Sequence, residues 1–160
     1  MKDSSFCAAR TLSARLAALA ALVFLAGFSL NAMAEAVGKV KKLAGSVIIE
    51  RAGKPQAAAT GMTIEIADVI RTGAASSVGI TTSDNALFSL GPNSALTVTQ
   101  YAFNPTTHEG KMGAALAKGS LSMVSGKLTK QSPESVKITT PTAVLAVRGT
   151  EFFAEVEDKK

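Results

Sequence analysis

Apolar and polar residues alternate over short windows from residue 38 onward, and clusters of Gly, Pro, Asn or Ser interrupt them about every ten residues. A two-residue period is typical of β-strands that bury one face. It predicts strands at Val40–Leu43, Ser46–Arg51, Met62–Ile66, Val69–Arg71, three places between 77 and 103, a pair around Gly119, Val136–Thr139 and Val144–Glu157, the last bent at Gly149. Residues 114–117 allow at most a helical turn, and "LTKQSPES" (128–135) is typical of a polar loop. The pattern predicts an all-β domain of many short strands.

A weak internal repeat bears on the architecture. "AGSVIIERAGK" (44–54) and "KGSLSMVSGK" (118–127) both place Gly-Ser before an apolar strand and Gly-Lys after it. Such repetition is compatible with a wound, solenoid-like β roll. A β-sandwich made of two copies of a strand group fits equally well, so both architectures stay open.

The N-terminal region has the three parts of a secretory signal peptide. Arg10 and Arg15 precede the apolar run "LAALAALVFLAGFSL" (16–30), and an Ala-x-Ala ends at Ala34. The alternative is a membrane anchor, but the run is shorter than the roughly 20 residues that a spanning helix needs. We expect cleavage after Ala34, a single domain at 35–160, and a periplasmic or secreted protein without stable membrane insertion.

Charge and cysteine content limit the kinds of partner and metal site that we expect. The predicted leader removes three basic and one acidic side chain, so the formal net charge falls from +5 to +3. Lys39, Lys41 and Lys42 lie close together, but no basic stripe is interleaved with aromatic residues, so nucleic acid is not an expected partner. The only cysteine, Cys7, lies within the leader, which leaves the mature chain without a disulfide or a thiolate metal site.

Catalytic residues are scarce in the predicted mature chain. His108 is its only histidine, and it lies in the loop sequence "NPTTHEGK" beside Glu109, without further ligands for a metal. The oxygen-rich triplet at 83–85, "SDN", is better explained by a turn than by calcium. We therefore expect no enzyme activity, no metal and no cofactor. Three aromatic residues are candidates for a binding surface, although core positions are the other interpretation: Phe88, Tyr101 and Phe103.

The arrangement of glycines, Asp68 and the terminal Arg148-Gly149-Thr150 resembles that of the FecR domain, the periplasmic sensor module of iron-transport regulators. The resemblance runs from "GKVKKLAGSVIIERAG" through "GMTIEIADVIRTGAASSVGITTSDNALFSLGPNSALTV" to "VKITTPTAVLAVRGTEFFAEV". Asp68 and Thr72 occupy the family positions, whereas Ala67 replaces the usual glycine, and Asp84-Asn85-Ala86 stands where the family usually has an Asp-Gly-Ser turn. Asparagine tolerates the left-handed conformation that glycine would supply, so we expect the turn to be kept. The most specific piece is Thr-Pro followed by an apolar run and Arg148-Gly149-Thr150.

The resemblance implies the fold, a periplasmic address and a sensing or protein-binding role. The anti-sigma and transmembrane segments of complete regulators have no counterpart, so we expect a stand-alone domain. The leading hypothesis is a non-enzymatic module that binds another envelope or extracellular protein, as an accessory to signalling or export. The alternative is a β domain that binds a small ligand or a glycan.

Arg148 interrupts an apolar run, "AVLAV", and requires an explanation. If Val144, Ala146 and Arg148 share one face of a strand, Gly149 can bend the backbone and turn the guanidinium inward. Asp68 is the candidate partner, because the resemblance places it at a turn, and Thr72 and Thr150 would complete the network. The alternative is that Arg148 meets an anionic ligand.

Overall fold

The computed structural model describes residues 36–147 and 149–157. The predicted leader, the predicted new N-terminus at Glu35, and Arg148 lie outside the described residues. Twelve strands form in the described part: β1 (Ala36–Ala44), β2 (Val47–Arg51), β3 (Lys54–Ala57), β4 (Thr63–Glu65), β5 (Val69–Thr72), β6 (Ser77–Thr82), β7 (Leu87–Leu90), β8 (Ala95–Phe103), β9 (Gly110–Val124), β10 (Val136–Thr139), β11 (Val144–Ala146) and β12 (Glu151–Val156). One short helix, α1 (Lys127–Gln131), and a 3-10 turn (Pro133–Ser135) precede β10.

The strands form two sheets that share β9. Sheet 1 has the order β12-β9-β7-β6-β1-β4, and sheet 2 has the order β3-β2-β5-β8-β9-β10-β11. The first half of β9 pairs with β8 and β10, and its second half pairs with β7 and β12. All pairs are antiparallel except the parallel pair β9–β10. The all-β prediction is confirmed, as one sheet that is folded over into two layers.

The two layers pack their apolar faces against each other. Strands alternate buried and exposed residues, as in β6 and β7. The buried side chains of both sheets belong to one hydrophobic cluster, which includes Ile64, Phe88 and Leu121 from sheet 1 and Ile49, Leu96 and Ile138 from sheet 2. The described residues therefore form a single domain around one core.

The internal repeat in the sequence marks two places where the chain changes sheets. Gly45 lies between β1 and β2, and Gly119 lies within β9 at its change of partners; both have a positive φ, 74° and 82°. The residue after each glycine donates its backbone N–H to a buried serine hydroxyl, Ser46 to Ser76 (2.9 Å) and Ser120 to Ser94 (3.0 Å). The repeat thus encodes one corner geometry that is used twice.

Four local predictions are wrong. Residues 110–124 form one long strand, without a helical turn at 114–117, because β8 and β10 pair with the alanine-rich segment on both sides. The expected polar loop contains α1, which buries Leu128. The pattern predicted no strand between 51 and 62, but Lys54–Ala57 form the edge strand β3, where proline is tolerated. Finally, 144–157 is two strands: β11 pairs in sheet 2 and β12 in sheet 1.

Candidate functional site

Asp68 is the centre of a charged cluster at the turn that connects β4 to β5. Its side chain is 0% exposed, yet it accepts two hydrogen bonds from Arg51, from Nε at 2.9 Å and from Nη2 at 2.7 Å. It also accepts the backbone N–H of Glu65 at 2.8 Å. The planar guanidinium matches both carboxylate oxygens, which a lysine could not do.

Arg51 binds further groups on β4. Its Nη1 donates to Glu65 at 2.6 Å, and Nη2 donates to the carbonyl of Thr63 at 2.8 Å. The hydrogen bond to Asp68, assisted by the charges of Asp68 and Glu65, raises the pKa of Arg51 despite partial burial. The cluster therefore joins the end of β2 in sheet 2 to β4 in sheet 1 and acts as a structural clamp.

The prediction paired Asp68 with Arg148. Among the described residues, the cation that binds Asp68 is Arg51. Arg148 itself lies outside the described residues, so its role stays a prediction. Nothing in the sequence pattern around Arg51 distinguished it from an ordinary strand-end cation. The signal that could have found it is the turn entering β5, where a buried acid requires a cation from a neighbouring strand.

Thr72, another predicted signature residue, is a buried hydroxyl at the sheet corner. It donates to the carbonyl of Gly91 at 2.6 Å and accepts the N–H of Ser94 at 2.8 Å. Ser94 in turn donates to the Gly91 carbonyl at 2.9 Å. These contacts fix the turn between β7 and β8 against β5, so the threonine has a structural role.

The described part of the terminal signature is also structural. Gly149 has a φ of 113°, and its carbonyl accepts the hydroxyl of Ser125 at 2.5 Å. The carbonyl of Thr150 accepts the N–H of Ser125 at 2.8 Å. The signature therefore carries the chain from β11 in one sheet to β12 in the other. The predicted bend at Gly149 is found as a break between two strands.

The predicted aromatic binding surface is wrong for two of its three members. Phe88 is 2% exposed and Tyr101 is 3% exposed, since both point into the shared core. Phe103 is partly buried, and its ring lies parallel to that of His108 with centroids 6.2 Å apart. His108 lies in the predicted loop, with a φ of 59°. These aromatic side chains do not form an exposed groove.

Tyr101 has a polar function inside the core. Its hydroxyl donates to the buried Asp84 carboxylate at 3.2 Å and accepts the backbone N–H of Asp84 at 3.1 Å. Thr82 donates to the same carboxylate at 2.5 Å. Burial, and secondly the negative charge of Asp84, raises the pKa of Tyr101 to about 12. The adjacent Asn85 has a φ of 65°, in agreement with its predicted replacement of a turn glycine.

The outward face of sheet 1 exposes an apolar patch that sequence reasoning missed. We define the sheet 1 patch as Leu87, Val124 and Phe153, three of the five large apolar side chains that are exposed in the described residues. Leu87 and Val124 are register partners, and Phe153 lies opposite Ser122, two residues from Val124. Alternation alone would have assigned them to an outer face, but only the strand order brings them together.

Charges of opposite sign flank the patch. One cross-strand row runs over five strands through register partners: Lys39, Thr81, Leu87, Val124 and Glu151. The basic end lies on β1 and the acidic end on β12. Within the described residues, β12 pairs on one side only, with β9, and its other edge is open.

A polar cleft lies on sheet 2. Its volume is about 400 Å³, and it lies where β8, β9, β10 and the 3-10 turn meet. Lys111, Lys137 and one acidic residue, Glu134, line it together with Thr99 and Ser135. Hydroxyl and ammonium groups of this kind suit a polar or anionic ligand.

The described residues lack two other features, a cluster of metal ligands and a membrane-spanning helix. They contain no group of three or more His, Cys, Asp or Glu side chains that could hold a metal ion. None of the helices in the described part is long and apolar enough to cross a membrane.

Comparison with known proteins identifies the family. The model of the FecR protein family matches residues 68–160, which is more than half of the chain. The match begins at Asp68 and includes the Arg-Gly-Thr signature. Searches of curated proteins and of solved structures found no match. With the predicted motifs, the all-β fold and the family match in agreement, this chain belongs to the FecR family.

Proposed function

We propose that this chain is an exported, non-enzymatic FecR-family module that binds another protein of the cell envelope or the extracellular space, as an accessory to signalling or export. The periplasmic or secreted location rests on the predicted leader and on the family. The binding role rests on one observation, the exposed sheet 1 patch. Apolar groups grouped on a surface and rimmed by polar residues are typical of protein interaction sites.

The rest of the molecule is consistent with this role. Signature residues Asp68, Thr72, Gly149 and Thr150 make internal contacts, so they stabilise the scaffold instead of facing a substrate. His108 stacks on Phe103 in a loop. We expect His108→Ala to leave partner binding unchanged; a loss of binding would return attention to this loop.

The proposal is tested by capture from an envelope extract. The exported protein is purified and immobilised, alongside the double variant Leu87→Ser/Val124→Ser. The matched control is Ile48→Ser, because Ile48 and Val124 are both 39% exposed but Ile48 lies in sheet 2. We expect a partner that wild type and the Ile48 variant retain and the double variant loses.

Two results would contradict the proposal. One is a wild-type protein that retains no partner from envelope or extracellular fractions. The other is a partner that binds the double variant as well as it binds wild type, which would move the binding surface away from sheet 1. Circular dichroism of all three proteins controls for folding.

Binding of a small anionic ligand or a glycan is the second candidate function. The polar cleft favours it, since the ammonium groups of Lys111 and Lys137 line one cavity. The predicted aromatic groove no longer supports it. Titration with glucuronic acid and with inorganic phosphate, on wild type and on Lys111→Ala/Lys137→Ala, distinguishes this candidate, which falls if neither probe binds wild type.

A further inference from the structure

The open edge of β12 has a chemical pattern of its own. Glu151, Phe153 and Glu155 alternate along its outward face, and all three are exposed. Within the described residues, neither glutamate forms an ion pair. Phe153 is 65% exposed between the two carboxylates, and it continues the sheet 1 patch up to the edge.

An open strand edge offers unpaired backbone N–H and C=O groups to another chain. Outward charges by themselves would protect such an edge from pairing with other strands. That protection does not require a large exposed aromatic ring between the charges. A strand added at this edge would gain main-chain hydrogen bonds, and its side chains would meet those of β12 across the new pair.

We propose that β12 accepts an extended segment of the partner protein, in which basic, apolar and basic side chains occupy alternate positions. The basic side chains would face Glu151 and Glu155, and the apolar side chain would face Phe153. This inference rests on the proposed function and specifies its partner: a strand with the pattern Lys/Arg-x-apolar-x-Lys/Arg.

A second copy of this chain is a poorer occupant of the edge. If two β12 strands paired antiparallel about Phe153, Glu151 of each copy would lie opposite Glu155 of the other. Like charges directly opposite one another destabilise a strand pair. Moving the centre to Ala154 would place Phe153 opposite a carboxylate and Glu151 opposite Glu157. The edge therefore favours a basic partner over itself.

The test uses short peptides and the intact exported protein. The probe is the peptide TKTLTKT, and its controls are TETLTET and a form of TKTLTKT that is N-methylated at every amide. We expect calorimetric titration to detect binding of TKTLTKT alone, because the first control repels the two glutamates and the second lacks backbone donors.

Charge reversal provides the decisive variant. Glu151→Lys/Glu155→Lys changes only exposed side chains, so its melting temperature should match that of wild type. Its affinity for TKTLTKT should fall at least about tenfold, since two attractive cross-strand pairs become repulsive. Its preference should reverse in favour of TETLTET. Equal binding of TKTLTKT to both proteins, binding of the N-methylated peptide, or no binding to wild type would overturn the inference.

Capture from envelope extract separates this inference from the proposed function, and sedimentation tests for a second copy at the edge. If an envelope partner is retained equally by wild type and the charge-reversed variant, protein binding stands but the β12 edge is not its site. If the peptides behave as expected while no envelope partner is retained, the edge is competent but the proposed function fails. Sedimentation that reveals a dimer lost in Phe153→Ser would assign the edge to a second copy and overturn the inference.

Discussion

Arg51 and Asp68 form a two-point ion pair between a partly exposed guanidinium and a fully buried carboxylate, with Nη2–Oδ2 at 2.7 Å and Nε–Oδ1 at 2.9 Å. The pair lies where β2 of sheet 2 passes the turn that connects β4 of sheet 1 to β5 of sheet 2. Removing one member of such a pair leaves the other uncompensated. The two sheets therefore depend on it at this end of the domain.

Arg51→Ala should lower the free energy of unfolding by about 3 kcal/mol, because the buried Asp68 loses its cation. Arg51→Lys should recover only part of the loss, since one ammonium group cannot bind both carboxylate oxygens. Urea unfolding measures the effect, and the double variant with Asp68→Ala should lose less than the sum of the two single variants.

A matched control for this pair is Arg71→Ala. Arg71 contacts Glu50 through a single contact of 3.3 Å, and both side chains are solvent-accessible. Exposed pairs contribute about 0–1 kcal/mol, so this variant should unfold near wild type. If Arg51→Ala were no more destabilising than Arg71→Ala, the clamp would be disproved.

Ala67→Gly should stabilise the protein by about 0.5–1 kcal/mol. Ala67 is exposed and has a φ of 70°, a left-handed conformation that costs an L-residue about 1–2 kcal/mol, and glycine avoids most of it. Thermal unfolding measures the gain. Ala57→Gly, in the exposed strand β3, is the control and should be destabilising, because it adds only backbone freedom. A loss of stability at both positions would contradict the assigned backbone strain.

Gly119→Ala should be among the most damaging single substitutions in the domain. A Cβ there would clash with the hydroxyl and backbone of Ser94, in addition to the strain of a φ of 82°. Gly53→Ala is the matched control, because its φ is 75° but a Cβ would meet nothing within 4 Å. We expect a loss of about 1–2 kcal/mol for Gly53→Ala and a clearly larger one for Gly119→Ala. Equal losses would mean that the corner can relax.

Tyr101 should ionise at a higher pH than an ordinary tyrosine. The measurement is simple because Tyr101 is the only tyrosine in the chain. Burial and the Asp84 charge raise its pKa to about 12, from the ordinary value of 10.0. Below about pH 10, tyrosine is neutral in both states; above it the unfolded state ionises first, so stability falls as the pH rises towards about 12.

Tyrosinate absorbance, followed together with circular dichroism, reports this titration in the folded protein. Asp84→Asn removes the smaller, electrostatic cause, so its midpoint should fall but stay above the ordinary value, because burial remains. A wild-type midpoint at the ordinary value in the folded state would show that the Tyr101 hydroxyl is open to water.

The fold class and much of the local geometry follow from patterns between neighbouring residues in the sequence. Alternation of apolar and polar residues has a period of two only in strands, so it predicted the all-β domain. Turn chemistry is equally local: Asn85 was expected to adopt the left-handed conformation and does so. The Gly-Ser repeat was visible in the sequence as well, but its role at two corners between the sheets could not be predicted from it.

Which residues contact one another across the domain depends on the long-range packing of the strands. Phe88, Tyr101 and the sheet 1 patch all fit an alternating pattern, but the face that is buried depends on the other layer, which lies far away in sequence. The choice of Arg51 as the partner of Asp68 likewise depends on β2 passing the β4–β5 turn. The division of 144–157 into strands of different sheets depends on two separate edges, because β11 pairs with β10 in sheet 2 and β12 pairs with β9 in sheet 1. Such long-range pairings have no local signature, because any strand edge or cation of suitable chemistry could satisfy the same residue.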